Sequence, residues 1–175
     1  GIVGRMDLGY LTACETSSCS ITNENGSYTG GIAGLTGATV HGSFSKCTLS
    51  GKKYVGGIVG SGVQENVDGS GSSVSWNYSL VDITDCQQYQ GAISGSDTGT
   101  FEHNYYVSDD LPGINRQGYA GRAEPISYAE LLTLPDLPES MKSFTLTFVA
   151  DDKTVLSHTF NYGDSIDESD IPEPP

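Results

Sequence analysis

The chain repeats a phrase. Tyr28-Thr29-Gly30-Gly31-Ile32-Ala33-Gly34 returns as Tyr54-Val55-Gly56-Gly57-Ile58-Val59-Gly60, and with changes as Tyr89-Gln90-Gly91-Ala92-Ile93-Ser94-Gly95. A truncated form, Gly1-Ile2-Val3-Gly4, opens the chain, and a half-copy stands at Tyr119-Ala120-Gly121. Self-similarity at a few tens of residues marks units that cannot bury an apolar face alone and do so by stacking on their neighbours. Cutting before each Gly-Ile unit gives segments 1–30, 31–56, 57–91 and 92–121.

A second landmark lies inside each segment. Leu11-Thr12-Ala13-Cys14, Phe44-Ser45-Lys46-Cys47, Val74-Ser75-Trp76-Asn77 and Phe101-Glu102-His103-Asn104 share an apolar residue, two variable residues, then Cys or Asn. Helical periodicity is absent from 1–121, and Thr, Ser, Val and Tyr suit strands. The expected fold is all-β, a right-handed parallel β-helix of about four coils. Ile2, Ile32, Ile58 and Ile93 would form one internal ladder. Leu11, Phe44, Val74 and Phe101 would form a second, and Cys14, Cys47, Asn77 and Asn104 a third. Tyr28, Tyr54, Tyr89 and Tyr119 would form a fourth. Cys14 and Cys47 then become neighbours, which admits a disulfide. A reduced stack is the reading favoured here, because buried free cysteine behaves as a small hydrophobe.

The phrase at 54–60, with Phe44-x-x-Cys47 before it, resembles the GLUG motif of large bacterial surface and secreted proteins. That resemblance covers 1–121 and implies a parallel β-helix, an extracellular or cell-surface location and a glycan or protein partner. Some immunoglobulin A peptidases carry the motif ahead of their catalytic part. No HExxH occurs here, so that chemistry does not carry over. The copy at 89–95 departs from the motif at Ala92 and Ser94, and segment three holds a long insertion, Ser61 to Ser73.

Composition changes along the chain. All seven prolines lie at or after Pro112, and 22 of the 23 glycines lie in 1–121. Residues 1–100 carry 8 acids and 4 bases, whereas 101–175 carry 14 and 4. The expected organisation is a repeat region over 1–121, a short helix and cap over 122–142, and a third part over 143–175. Pro125 to Leu134 reads as a helix with Ser127 as N-cap and Glu130 closing a capping box. It would cover the open end of the stack. Phe144 to Ala150 alternates with period two, Asp151-Asp152-Lys153 makes a turn and Thr154 to Phe160 returns, which is a hairpin. With Tyr162-Gly163-Asp164 and the closing Ile171-Pro172-Glu173-Pro174-Pro175, it resembles the opening of a Listeria–Bacteroides repeat. That resemblance implies an incomplete β-grasp-like surface module.

The net charge of −14 argues against nucleic acid and anionic membrane surfaces. No stretch approaches the ~18 apolar residues of a membrane span. The chain begins inside a repeat and reads as a piece of a longer protein, monomeric by itself. Cys14, Cys19, Cys47 and Cys86 form no CxxC pair, and no histidine stands at zinc spacing from them. His41, His103 and His158 lie far apart, and His103 reads as structural or exposed. No GxSxG and no P-loop occurs. The expectation is no catalytic residue, no metal site and no cofactor, hence a non-enzymatic spacer and adhesive segment. The competing reading is a carbohydrate-binding or polysaccharide-cleaving β-helix. It would draw its acids from Asp82, Asp85, Asp97, Asp109 and Asp110, and its sugar-stacking rings from Trp76, Tyr78, Tyr105 and Tyr106.

Overall fold

The computed structural model describes residues 1–115 and 120–172. The chain divides into two compact units, Gly1–Leu134 and Pro135–Pro175.

The first unit is built of short strands. Segment 1–30 holds β1 (Val3–Met6), β2 (Tyr10–Thr12) and β3 (Glu15–Gly30). Segment 31–56 holds β4 (Ala33–Thr36), β5 (Thr39–His41) and β6 (Phe44–Gly56). Segment 57–91 holds β7 (Val59–Gly62), β8 (Ser73–Ser75), β9 (Tyr78–Ser79) and β10 (Asp82–Gly91). The next strands are β11 (Thr100–Glu102), β12 (Asn104–Tyr106) and β13 (Ala123–Pro125). They form three parallel sheets. One runs β1-β4-β7 and a second β2-β5-β8-β11. In the third, β3 pairs with β6; the start of β6 pairs with β9 and its remainder with β10, and β9 continues through β12 to β13.

The repeated phrase explains the register. The Ile2 N–H donates to Ile32, Ile32 to Ile58 and Ile58 to Ile93, each at 2.9 Å. Ile32, Ile58 and Ile93 are fully buried. Tyr28 stacks on Tyr54 with ring centres 5.1 Å apart, and Tyr54 on Tyr89 at 4.8 Å. Both expected ladders are therefore present, except that Ile2, at the chain start, is 49 % exposed instead of internal, and Tyr119 lies outside the described residues. Gly30, Gly56 and Gly91 pair in register. A Cβ at any of them would run into the carbonyl of the residue three further on, Ala33, Val59 or Ser94. The glycine marks a bend too tight for a side chain.

The second landmark pairs differently from the expectation. The register is Leu11, Val40, Val74 and Phe101, not Phe44. The third ladder is accordingly Cys14, Ser43, Asn77 and Asn104, with Ser43 where Cys47 was expected. Serine is a small acceptor like asparagine, so Val40-His41-Gly42-Ser43 satisfies the same physical need. Ser18, at φ +51°, is bulged out of β3, and this places Cys19 directly beside Cys47. Their Cα atoms are 5.0 Å apart and the two form a disulfide; Cys14 and Cys86 are free. A bulge in a parallel strand leaves no pattern in sequence from which this pairing could be read.

After β13 comes a single helical turn, α1 (Tyr128–Leu131), shorter than the expected helix over 125–134. Ser127 caps it and Glu130 closes the capping box, as expected. In the second unit α2 (Glu139–Lys142) precedes an antiparallel hairpin of β14 (Ser143–Ala150) and β15 (Lys153–Asn161). Asp151 and Asp152 both take positive φ, +49° and +58°, which is the two-residue turn that suits strand twist. Lys153 pairs with Ala150 and so belongs to the strand, not the turn.

Candidate functional site

The chemistry-bearing surface of the repeat is the corner that follows β2, β5, β8 and β11. Its first residue is Ala13, Gly42, Trp76 or His103, at φ +51°, +59°, +57° and +52°. The left-handed conformation costs an ordinary residue about 1–2 kcal/mol, so a tryptophan there is held by its surroundings.

The second residue of each corner points inward and supplies those surroundings. The Cys14 N–H donates to Ser43 Oγ at 3.2 Å, the Ser43 N–H to Asn77 Oδ1 at 2.9 Å and the Asn77 N–H to Asn104 Oδ1 at 3.1 Å. Asn77 Nδ2 donates to Val40 O and to Asn104 Oδ1. Asn104 Nδ2 donates to Val74 O and Arg122 O. Both asparagines are completely buried. Each side chain thus closes the corner of the preceding layer, satisfying backbone groups that a bend leaves without strand partners.

The third residue is Glu15, Phe44, Tyr78 or Tyr105. Phe44 stacks on Tyr78 at 5.3 Å and Tyr78 on Tyr105 at 5.5 Å. Burial, with Tyr105 alongside, raises the Tyr78 phenol above its usual value. A ring stacked on its neighbours offers edges, not faces, so this row is closed to a sugar along most of its length.

The four aromatic candidates therefore separate. Tyr78 and Tyr105 are half-buried members of the stack. Tyr106 is only 5 % exposed and belongs to the core, which corrects its candidacy: alternation along β12 turns it inward while Tyr105 faces out. Trp76 is 44 % exposed. One of its faces stacks on His103, with ring centres 4.6 Å apart and planes at 26°. His41, on the neighbouring layer, bonds Ser75 Oγ through Nδ1 at 3.0 Å. Sequence reading left His41 and Gly42 out of the site. The signal that finds them is the corner register, legible once serine is admitted to the apolar-x-x-acceptor pattern.

Asp82 and Asp85 are exposed on β10, and Asp109 and Asp110 are exposed after β12. Among the described residues no group of three or more His, Cys, Asp or Glu could hold a metal ion. The insertion in segment three is held by a bond to segment two and by bonds of its own. Asn66 Nδ2 donates to Gly37 O at 2.9 Å, and Asp68 Oδ1 accepts from the Ser70 hydroxyl and N–H at 2.6 and 3.0 Å. These bonds hold the Asp68 carboxyl below its usual range, and Val67 at the tip is fully exposed. A second ring stack, Tyr28-Tyr54-Tyr89, carries the Lys53 ammonium 5.1 Å from the Tyr54 ring centre and 5.2 Å from that of Tyr89.

No helix among the described residues is long and apolar enough to cross a membrane. No known protein family, curated protein or solved structure matches this chain.

Proposed function

We propose that the three parallel sheets are the faces of a right-handed β-helix of about four coils, and that this β-helix is a non-catalytic spacer and interaction surface of a secreted or cell-surface bacterial protein. The observation that carries the reading is the register. Equivalent positions of successive segments pair in every sheet, from Ile2, Ile32, Ile58 and Ile93 to Leu11, Val40, Val74 and Phe101. Such an array grows by one strand spacing per repeat and transmits load along hydrogen-bonded layers. The resemblance to the GLUG motif supports the same reading. So does the Cys19–Cys47 disulfide, which persists in oxidising compartments. The acid excess keeps such a rod soluble, and the ordered loop with Val67 at its tip offers a contact point for a protein or glycan partner.

Insertion of further copies of 31–56 between Gly56 and Gly57 tests the reading. Three extra copies should lengthen the particle by about 14 Å in small-angle X-ray scattering, at ~4.8 Å per layer, with the cross-section unchanged. Growth in the cross-section, or loss of the folded state, would refute it.

A further inference from the structure

The corner stack has a missing rung. Backbone bonds from the Ala13 N–H to His41 O, Gly42 to Ser75 O, Trp76 to Glu102 O and His103 to Gly121 O put these corner residues on successive layers. His103 covers one face of Trp76. The opposite face looks toward the layer of Gly42, which has no side chain, and a Cβ built on Gly42 would meet nothing within 4 Å. From Trp76 to Ala13 is two layers, about 9.6 Å. That height takes one flat ring, at the spacing already seen between Trp76 and His103 at 4.6 Å and Tyr54 and Tyr89 at 4.8 Å.

The residue preceding each corner forms the rim of this slot. Thr12, His41 and Ser75 pair in register on adjacent strands, and the His41 bond to Ser75 through Nδ1 leaves Nε2 for a ligand. A hydroxyl, an imidazole nitrogen and a second hydroxyl thus border an apolar face. A ligand ring that is apolar on its face and carries hydroxyls around its perimeter matches both features. The bare ring of a phenylalanine would match the face and leave the rim without partners.

We propose that the slot between Trp76 and Ala13, floored by Gly42, is a subsite for one neutral hexopyranose unit of a β-linked glycan. The sugar's C–H face stacks on Trp76, and its hydroxyls bond His41 and Thr12. The left-handed backbone of Trp76 holds the indole in the row, an expensive placement for a residue that only fills surface. This inference goes beyond the spacer reading and does not depend on it, since a spacer needs no ligand.

Trp76 is the chain's single tryptophan, so its fluorescence reports on the slot alone. The full chain would be titrated with cellohexaose and chitohexaose, and separately with N-acetyl-tyrosinamide as the probe for an aromatic side chain. A saturable blue shift with either oligosaccharide is the expected result. Gly42→Asn fills the slot with a residue that tolerates positive φ. It should weaken binding by about tenfold or more while leaving the melting midpoint near wild type. Trp76→Ala, followed by calorimetry, should lose binding to the same extent. Circular dichroism checks that each variant is folded, and whichever retains the fold decides the comparison. No shift with either oligosaccharide overturns the proposal, as does a shift with N-acetyl-tyrosinamide alone, or unchanged affinity in Gly42→Asn.

Discussion

Asn77→Ala should be among the most damaging single changes in the repeat region. The Asn77 carboxamide makes three bonds to neighbouring layers: it accepts from the Ser43 N–H at 2.9 Å and donates to Val40 O at 3.0 Å and Asn104 Oδ1 at 2.9 Å. Ser43 and Asn77 are both completely buried. Truncation strands the Ser43 N–H at about 1–3 kcal/mol and removes two further bonds worth about 1 kcal/mol each. The sum is about 4 kcal/mol, a large part of the roughly 5–15 kcal/mol that holds a domain together. At a slope of about 2 kcal/mol per molar urea, the unfolding midpoint of the full chain should fall by about 2 M. Asn77→Ser is the informative companion. At the neighbouring rung Ser43 already accepts the Cys14 N–H through its hydroxyl at 3.2 Å, so a serine at 77 keeps an acceptor for the Ser43 N–H. It should cost about half as much as alanine. The reasoning fails if Asn77→Ala stays within about 1 kcal/mol of wild type, or if serine is as damaging as alanine.

Cys19→Ser should lower stability by roughly 3–4 kcal/mol, the chain-entropy value for a cross-link spanning 28 residues, and reduction of the wild-type chain should reproduce the loss in a denaturant titration. Gly56→Ala should destabilise by about 3 kcal/mol, because its Cβ would meet the backbone of Val59 and Gly95, which cannot give way. Gly69→Ala, at φ +81° with open space around it, should cost only about 1 kcal/mol in the same titration. Bonds from the Ser127 N–H and hydroxyl hold the Glu130 carboxyl below its usual range. A carboxylate depressed in the folded state stabilises it above the unfolded value and loses that contribution as pH falls through the folded value. Ser127→Ala removes the hydroxyl bond to that carboxylate together with the cap to the Glu130 N–H, so it should lower the melting temperature at neutral pH, with the difference narrowing in acid to what the lost cap costs.

Much of this fold was legible because the phrase is dictated by backbone geometry. Gly30 and Gly56 stand where no side chain fits, and the isoleucine two residues on must point inward. A reader of the sequence therefore recovers the isoleucine and tyrosine ladders without a structure. The capping box of α1 was legible for the same reason, as a local bonding pattern. The second landmark was misread because two stretches of segment two compete for it. Phe44-Ser45-Lys46-Cys47 matches the letters, but Val40-His41-Gly42-Ser43 stands at the corner. Three residues one position further on, Phe44, Tyr78 and Tyr105, make a ring stack of their own. The first compact unit runs on to Leu134 because β13 pairs with β12 and the α1 residue Leu131 is buried. The open face of Trp76 could not be read at all, since it depends on which residue occupies the next layer.

The register is the centre of this account, and the native cysteines report it. Mass-spectrometric mapping of the unreduced chain distinguishes the two alignments directly. The corner register places Cys14 against Ser43 and Cys19 against Cys47, so a Cys19–Cys47 link should be found with Cys14 and Cys86 open to alkylation after unfolding. A Cys14–Cys47 link would contradict the account, because it requires Phe44-Ser45-Lys46-Cys47 to occupy the corner.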